Sequence, residues 1–180
     1  MTTIIAPREH DLGDGFRVRR AVPTLQARSV GPFVFVDHMG PVVFEAGRGL
    51  DVRPHPHIGL ATVTFLWDGA IRHRAGSLAH GMQTWVALPR AHEETASAFH
   101  HHPAASLPQQ RRDGAWLRVI AGRAYGEESP VQVFSGTLNV AVDLEPDAEL
   151  ALDDGHPERA LYLLEGQAQL DGADIPARHL

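Results

Sequence analysis

A His-Pro-His triplet ahead of an apolar strand constrains this chain more than any other feature. Residues 49–69 read GLDVRPHPHIGLATVTFLWDG and contain His55 and His57, two positions apart. On an extended chain, residues two apart point to the same face. The prolines of this stretch keep the backbone extended, because proline fixes its own φ and biases the preceding residue away from helix. The spacing therefore predicts two imidazoles side by side, able to bind one metal ion.

The same alternation continues into the strand that follows the two histidines. The residues at even separations from the two histidines, which would point to the same face, are apolar: Ala61, Val63, Phe65 and Trp67. An apolar wall beside two imidazoles suits a metal at the mouth of a dry pocket. We therefore expect both imidazoles to point toward the interior, with Phe65 lining the same cavity. A His-x-His pair is a weak signal by itself, because the chain has 12 histidines and two polar residues near a strand end are the simpler interpretation.

Composition is typical of a β-rich globular protein. Of 180 residues, 43% are hydrophobic and 21% charged, while 17 Gly and 13 Pro indicate many turns. The net charge of −6 does not favour nucleic acid as a partner. The N-terminus lacks a leader pattern and no long apolar stretch occurs, so we expect a cytoplasmic protein without a membrane partner. Because the chain has no cysteine, any metal ligands are His and carboxylate.

Short apolar or alternating runs predict strands along the whole chain and no sustained helix. The main runs are residues 16–20, 32–36, 60–67, 81–88, 115–121 and 138–144. Asp68-Gly69 is a strong hairpin signal, from which the chain would return through residues 70–74. Asp37 and His38 are interpreted as a turn-forming pair that ends a strand, not as catalytic residues. These patterns predict an all-β fold.

An internal sequence repeat suggests two copies of one structural unit. FLWDGAIRHRAG, which begins at Phe65, resembles YLLEGQAQLDG, which begins at Tyr162. In each, an apolar strand meets an acidic-Gly turn, Asp68-Gly69 in the first and Glu165-Gly166 in the second, and a strand returns. A repeat of this kind predicts two β-barrel units, of which the second has no His-x-His pair.

The sequence resembles the pirin family of two-domain cupins. The resemblance lies in GPFVFVDHMGP followed by GLDVRPHPHIGLATVTFLWDGAIRHR, and it resumes through AHGMQTWVALP and AWLRVIAGRAYG. It implies a cupin barrel, a double-stranded β-helix or jelly roll, over residues 1–125 and a partial second cupin barrel over residues 126–180. It also implies non-haem Fe(II) in the first barrel, held by His55 and His57 with a histidine and a glutamate of a second motif. Some family members are quercetin 2,3-dioxygenase-like, and others are transcriptional co-regulators.

The sequence departs from the family pattern at three places. After IRHRAGSL the family continues with a segment that ends in His-Ser-Glu, but this chain passes directly to AHGMQTWVALP and lacks those two iron ligands. Ala61 stands where an acidic residue is usual. The sequence ends at IPARHL, within the second barrel. We therefore expect an internal deletion and a C-terminal truncation.

These departures weaken the expected iron site. Two imidazoles without a carboxylate bind a divalent ion less tightly and less selectively than three or four ligands do. A two-residue hairpin at Asp68-Gly69 would place His80 opposite His57 and His73 opposite Thr64, so either histidine is a candidate replacement ligand. Missing strands would also expose unpaired edges, through which the chain is expected to self-associate.

Three functions are compatible with the sequence. The first is a pirin-like cupin protein with a residual Fe(II) site at His55 and His57 and little or no enzymatic activity. The second is an active quercetin 2,3-dioxygenase-type iron enzyme that acts on a flavonol-like small molecule. The third is a metal-responsive regulatory or binding module. The sequence identifies no catalytic residue and leaves open whether the chain is an enzyme.

Overall fold

The regular structure of the protein is almost entirely β. The structure is a computed structural model that describes residues 2–13, 16–43, 55–69 and 78–180. Its helices are single 3₁₀ turns at Arg90–His92 and Ala104–Ser106. Within the described ranges, no helix is long and apolar enough to cross a membrane. The prediction of an all-β fold is confirmed.

Five antiparallel strands form the largest sheet in the described part of the chain, in the spatial order β1-β2-β3-β5-β4. Their bounds are β1 (Arg8–Asp11), β2 (Arg17–Val22), β3 (Phe33–Val43), β4 (Leu60–Gly69) and β5 (Leu78–Ala87). Each of the four predicted strands in this region corresponds to one of β2 to β5, although β2, β3 and β4 run past their predicted ends. The central pairing of β3 with β5 and of β5 with β4 positions the candidate site.

The predicted hairpin at Asp68-Gly69 is wrong. β4 continues through this dipeptide, and Asp68 pairs with His80 while Gly69 pairs with Ala79. A register shift between Leu66 and Asp68 marks a bulge, and β4 stays paired with β5 beyond it. The predicted returning strand at residues 70–74 lies outside the described residues.

A smaller sheet is built from the middle of the chain. Its order is β10-β7-β6, and a short β8–β9 pair stands beside it in sequence. The bounds are β6 (Gln109–Arg112), β7 (Ala115–Ala121), β8 (Arg123–Ala124), β9 (Glu127–Glu128) and β10 (Asn139–Leu144). β7 lies at its predicted residues. Its alternate side chains Ala115, Leu117 and Val119 are at most 1% exposed, so they form the core of this sheet.

The last hairpin lies at a different turn from the predicted one. It joins β11 (Ala168–Leu170) to β12 (Ala173–Ile175), and Asp171 and Gly172 have φ of 50° and 79°. Positive φ at both positions is what a type I′ hairpin requires, and Asp tolerates it better than Glu does. The chain bends at Glu165-Gly166 as predicted, with Gly166 at φ of 85°, but the predicted hairpin there is wrong, and Leu163 instead forms a bridge with His179.

Backbone proximity divides the chain into two compact units, Met1–Ala87 with Arg159–Leu180, and Leu88–Glu158. The first unit contains the five-stranded sheet and the β11–β12 hairpin, and the second contains the three-stranded sheet. This division differs from the boundary between residues 125 and 126 that the sequence suggested, and that boundary stays a prediction. All residues of the candidate site lie in the first unit.

The hydrophobic core of the first unit forms where β2 meets β3. Val18 pairs with Met39, and both pack with Phe16 in a buried cluster. Leu12, Val42 and Leu66 pack against this cluster. The core anchors β3, which in turn fixes the register of β5 and β4.

Candidate functional site

The imidazoles of His55 and His57 lie side by side, as the spacing predicted. Their Nε2 atoms are 2.8 Å apart and their ring centroids 4.6 Å apart, and both residues are exposed. The two histidines precede a turn in which Leu60 N–H donates to the His57 carbonyl at 3.1 Å, and Gly59 has φ of 67°. Glycine adopts this backbone without the steric cost that a side chain would add.

An indole ring supports this histidine pair. The Trp85 ring lies 5.4 Å from the His55 ring and 4.7 Å from the His57 ring, with interplanar angles of 23° and 30°. Trp85 Nε1 donates to the Gln83 side chain at 3.4 Å, and Gln83 Nε2 donates to Thr64 at 3.2 Å. The pair therefore rests on a flat aromatic surface whose neighbours are polar.

The strand register places this pair on the face of the sheet opposite Phe65. Trp85 pairs with Thr62, whereas Phe65 pairs with Met82. Directly paired residues share a face, and residues three apart on one strand have opposite faces. The expectation that the imidazoles point into an interior cavity lined by Phe65 is therefore wrong. The physical reason is the turn before β4. Side chains alternate between the two faces only along continuously extended backbone, so the alternation of β4 does not extend back to His55 and His57.

The histidine pair matches part of a metal-binding site. Two nitrogens that bind one ion at about 2.0–2.1 Å and at a right angle lie about 2.9 Å apart. The observed 2.8 Å between the Nε2 atoms fits this geometry. In the part of the chain that the structure describes, no group of three or more His, Cys, Asp or Glu residues is arranged to hold a metal. The residues present can supply two ligands, and whether they bind a metal stays a prediction.

A second group of polar side chains was not identified from the sequence. His38 is only 2% exposed, and its Nδ1 lies 3.0 Å from the Tyr162 hydroxyl. Its Nε2 lies 3.1 Å from Nε2 of His80, whose Nδ1 is 3.8 Å from an Asp68 carboxylate oxygen. The Trp67 ring meets the edge of His38 at 6.0 Å and lies 5.3 Å from His80.

The interpretation of Asp37 and His38 as a turn is wrong, since both are buried inside β3. Asp37 receives two hydrogen bonds from the Arg20 guanidinium, at 2.8 and 2.7 Å. The positive guanidinium neutralises and hydrogen-bonds a carboxylate that would otherwise be costly to bury. A turn-like dipeptide can therefore continue a strand where its polar groups find partners.

The register also places His80 away from the His55 and His57 pair. His38 pairs with Met82, so it shares the face of Phe65. His80 lies two residues before Met82 on β5 and therefore has the same face. His80 pairs with Asp68, not with His57, so the suggestion that it replaces a missing ligand is wrong. The other suggested replacement, His73, lies outside the described residues.

His38 and Tyr162 are both uncharged at neutral pH. Burial lowers the pKa of His38 to about 4, with electrostatic contributions from His80, Arg19 and Arg178. Burial raises the pKa of Tyr162 to about 12, against the opposing effect of the two arginines. The imidazole is therefore neutral and the phenol protonated over the physiological range.

Comparisons with known proteins agree on one family. The sequence profile described as Pirin matches residues 15–84. A pirin-like protein of Caulobacter vibrioides is 40% identical, and the match covers 93% of this chain and 71% of the relative. A Pseudomonas aeruginosa protein, provisionally named as a quercetin 2,3-dioxygenase, is 33% identical with 98% and 65% covered. Human pirin is 27% identical with 83% and 60% covered.

Solved structures show the same fold. A crystal structure of quercetin 2,3-dioxygenase from Acinetobacter baumannii superposes with a TM-score of 0.80 at 26% identity, covering 98% of this chain and 69% of that one. A Geobacillus kaustophilus protein superposes with a TM-score of 0.74 at 20% identity, covering 99% and 83%, and supports the fold alone.

The strands and these superpositions define an all-β protein of the cupin type. At 40% identity over most of its length, the chain belongs to the pirin family. It spans 71%, 65% and 60% of the three curated relatives named above.

Proposed function

We propose that this chain is a pirin-family cupin protein with a residual Fe(II) site at His55 and His57 and weak or absent dioxygenase activity. The observation that carries the proposal is the 2.8 Å separation of the two Nε2 atoms over the Trp85 ring. Two nitrogens at this distance fit one metal ion. Fe(II), when bound, would supply the redox chemistry of an oxygenase, while the two imidazoles would hold it and Trp85 would orient them.

Two features of the site support weak binding. The described residues offer two imidazoles without a third His, Cys, Asp or Glu arranged around the same point. Both histidines are exposed, so water competes for the ion. Ion affinity rises with the number of protein ligands, and a carboxylate would also offset the charge of the metal. A wet, two-ligand site therefore favours loose binding.

The proposed small-molecule partner is a flavonol-like compound. The support is the name quercetin 2,3-dioxygenase, which the solved Acinetobacter baumannii relative carries. The indole of Trp85, with Phe35 at a centroid distance of 5.0 Å, offers aromatic surface beside the histidines. Planar aromatic rings stack well on such surface. The flavonol would bind beside the metal, between these rings and solvent.

Anaerobic titration with Fe(II), followed by oxygen consumption with quercetin, tests the proposal. We expect weak binding that His57→Ala reduces further, and little or no quercetin-dependent oxygen uptake. His101→Ala is the matched control, because His101 is an exposed histidine in the other compact unit. An absence of Fe(II) binding in the unmodified chain, or binding that His57→Ala leaves unchanged, would contradict the site.

The strongest alternative is an active quercetin 2,3-dioxygenase-type enzyme, which the TM-score of 0.80 to such an enzyme favours. Tight one-to-one iron binding with quercetin-dependent oxygen uptake, both lost in His57→Ala, would establish that alternative. Tight iron binding without turnover would instead favour the metal-responsive regulatory module.

A further inference from the structure

Strand β10 forms one edge of the three-stranded sheet. In the part of the chain that the structure describes, β10 pairs with β7 alone. A row of unpaired N–H and C=O groups can bind another strand, and sheet edges are therefore commonly protected by charged residues or proline. The opposite edge, β6, reads QQRR, and the edge strand β1 of the larger sheet reads REHD. β10 reads NVAVDL and carries a single charge, so its edge is weakly protected.

A hydrogen bond at the end of β10 shows which of its backbone groups face outward. Glu145 N–H donates to the Gly114 carbonyl at 2.9 Å, on the side of β7. Along an antiparallel strand, backbone groups alternate between the two sides. Ala141 and Asp143, at even separations from Glu145, therefore face β7 as well. The residues between them direct their N–H and C=O groups away from the sheet, and these are Val140, Val142 and Leu144.

The side chains of these three outward-facing residues are apolar and lie on the core face of the sheet. Their partners on β7 are at most 1% exposed, namely Val119, Leu117 and Ala115. Val142 is nevertheless 38% exposed and Leu144 47% exposed, since β10 is the last strand of this sheet. Burying apolar surface favours association. A strand added at this edge would therefore gain backbone hydrogen bonds and apolar contact together.

We propose that β10 pairs antiparallel with β10 of a second copy of this chain, with Val142 of each copy opposite Val142 of the other. The regular part of β10 is residues 140–144, because the register shifts between Asn139 and Val140 and Pro146 follows at the other end. Val142 is the middle of this stretch, so a two-fold axis there pairs its whole length. The outward-facing residues then oppose one another, and each such pair exchanges two hydrogen bonds.

Charge favours this register and a second copy as the occupant. With Val142 at the axis, Asp143 lies opposite Ala141 of the second copy. An axis one residue further along would place two Asp143 carboxylates directly opposite each other, which is destabilising. Arg118 pairs with Ala141 and shares its face. Arg118 of the second copy would then lie two strands, about 10 Å, from Asp143, so opposite charges approach across the interface.

The dimer should be weak and reversible, because a pair of five-residue strands is smaller than the about 1,600 Å² of a standard stable interface. Sedimentation velocity over a concentration series measures it. The mass should rise from the monomer value of 19.6 kDa toward twice that value and fall again on dilution. Val142→Lys should abolish the rise, because like charges would meet at the axis. Val133→Lys, at a valine of the same compact unit that is also 38% exposed, is the matched control and should not change it.

Mixing two charge variants separates loss of the interface from loss of the fold. Val142→Glu alone should also stay monomeric, again because like charges would meet. An equimolar mixture of the Val142→Lys and Val142→Glu chains should associate, because opposite charges then lie across from each other at the axis. Misfolded chains would not regain association in this way.

Cysteine crosslinking tests the register, because the chain has no cysteine of its own. Directly opposed residues lie within the Cα separation of about 4.4–6.8 Å that a disulfide spans, so Val142→Cys should crosslink to itself under mild oxidation. Leu144 lies opposite Val140 of the second copy, so the two Leu144 positions are about 13 Å apart. Leu144→Cys should therefore crosslink only when mixed with the Val140→Cys chain.

Two results would overturn the proposal. In the first, the mass stays at 19.6 kDa at every concentration, or Val142→Lys and Val133→Lys have the same effect on association. In the second, Val142→Cys crosslinks no faster than Leu144→Cys, because the copies then meet in another register or at another surface.

Discussion

Trp85 and Phe65 point to opposite faces of one sheet, since Trp85 pairs with Thr62 while Phe65 pairs with Met82. This relationship separates two pairs of histidines that a linear reading of the sequence would combine. The exposed pair stacks on Trp85, and the second pair, a buried His38 and a half-buried His80, lies on the face of Phe65. The first pair meets solvent, whereas His38 of the second pair lies 3.0 Å from the hydroxyl of a half-buried tyrosine, Tyr162.

Trp85→Ala should weaken Fe(II) binding at His55 and His57 without unfolding the chain. The indole lies under both rings, and its loss frees them to adopt other rotamers. Loss of an orienting neighbour typically costs about 10–100-fold in metal affinity. Anaerobic Fe(II) titration measures the change. Trp116→Ala, in the other compact unit, is the control, and equal effects of the two substitutions would refute a specific role for Trp85.

Asp37→Ala should destabilise the first unit strongly. The Asp37 carboxylate is held by two hydrogen bonds from Arg20, at 2.8 and 2.7 Å, with side-chain exposures of 5% and 18%. Removing one partner of a buried ion pair leaves the other charge unpaired, at a cost of about 3–5 kcal/mol. Urea denaturation gives the free energy of unfolding.

The exposed pair of Arg17 and Glu9 provides the matched comparison for this prediction. Its separation is 3.4 Å and its side chains are 67% and 58% exposed. Surface ion pairs contribute about 0–1 kcal/mol to stability, so Glu9→Ala should change the midpoint of urea denaturation little. If both substitutions shift the midpoint equally, burial is not what makes the Asp37 contact important.

Local sequence patterns were sufficient to predict much of the fold. The largely apolar run of residues 115–121, ended by a glycine, predicted β7 correctly, and Ala115, Leu117 and Val119 of that strand are buried. The spacing of His55 and His57 predicted that their rings meet. The alternation of side chains along the sequence could not predict the face that the two rings occupy. The reason is that Gly59, with positive φ, turns the chain before β4 begins.

The second histidine pair could not be found from local sequence. His38 and His80 are 42 residues apart, and His38 and Tyr162 are 124 apart. Only the register of β3 on β5 brings the two histidines together, and that register depends on the core around Val18 and Met39. The partial second barrel and the domain boundary stay predictions.

The stability of the metal-free protein should fall in acid between about pH 6.5 and pH 4. Folding lowers the pKa of His38 to about 4 from its ordinary 6.5, so the unfolded chain binds more protons in this range. Stability therefore rises with pH through the window and is lost as the pH falls through it. A shift of this size corresponds to roughly 3 kcal/mol.

Urea denaturation at a series of pH values, with a chelator present, measures this slope. His38→Gln should flatten it, while His101→Gln, at an exposed site, should not. An unchanged slope in His38→Gln would assign the acid sensitivity to other groups.

Gly81→Ala should loosen both histidine pairs at once, because the backbone of β4 lies close to Gly81 of β5. A Cβ at this position would collide with the backbone carbonyl oxygen of Phe65 and with the Leu66 side chain. The backbone of the partner strand cannot move aside as a flexible side chain can, so the strands must separate. We expect a loss of stability of about 1–3 kcal/mol, typical of overpacking in a well-packed site.

Gly136→Ala is the control, since a Cβ there meets nothing within 4 Å and the backbone is not in the left-handed region. Chemical denaturation compares the two variants. A Gly81→Ala protein with unchanged stability would show that β4 and β5 are less closely joined than this contact requires.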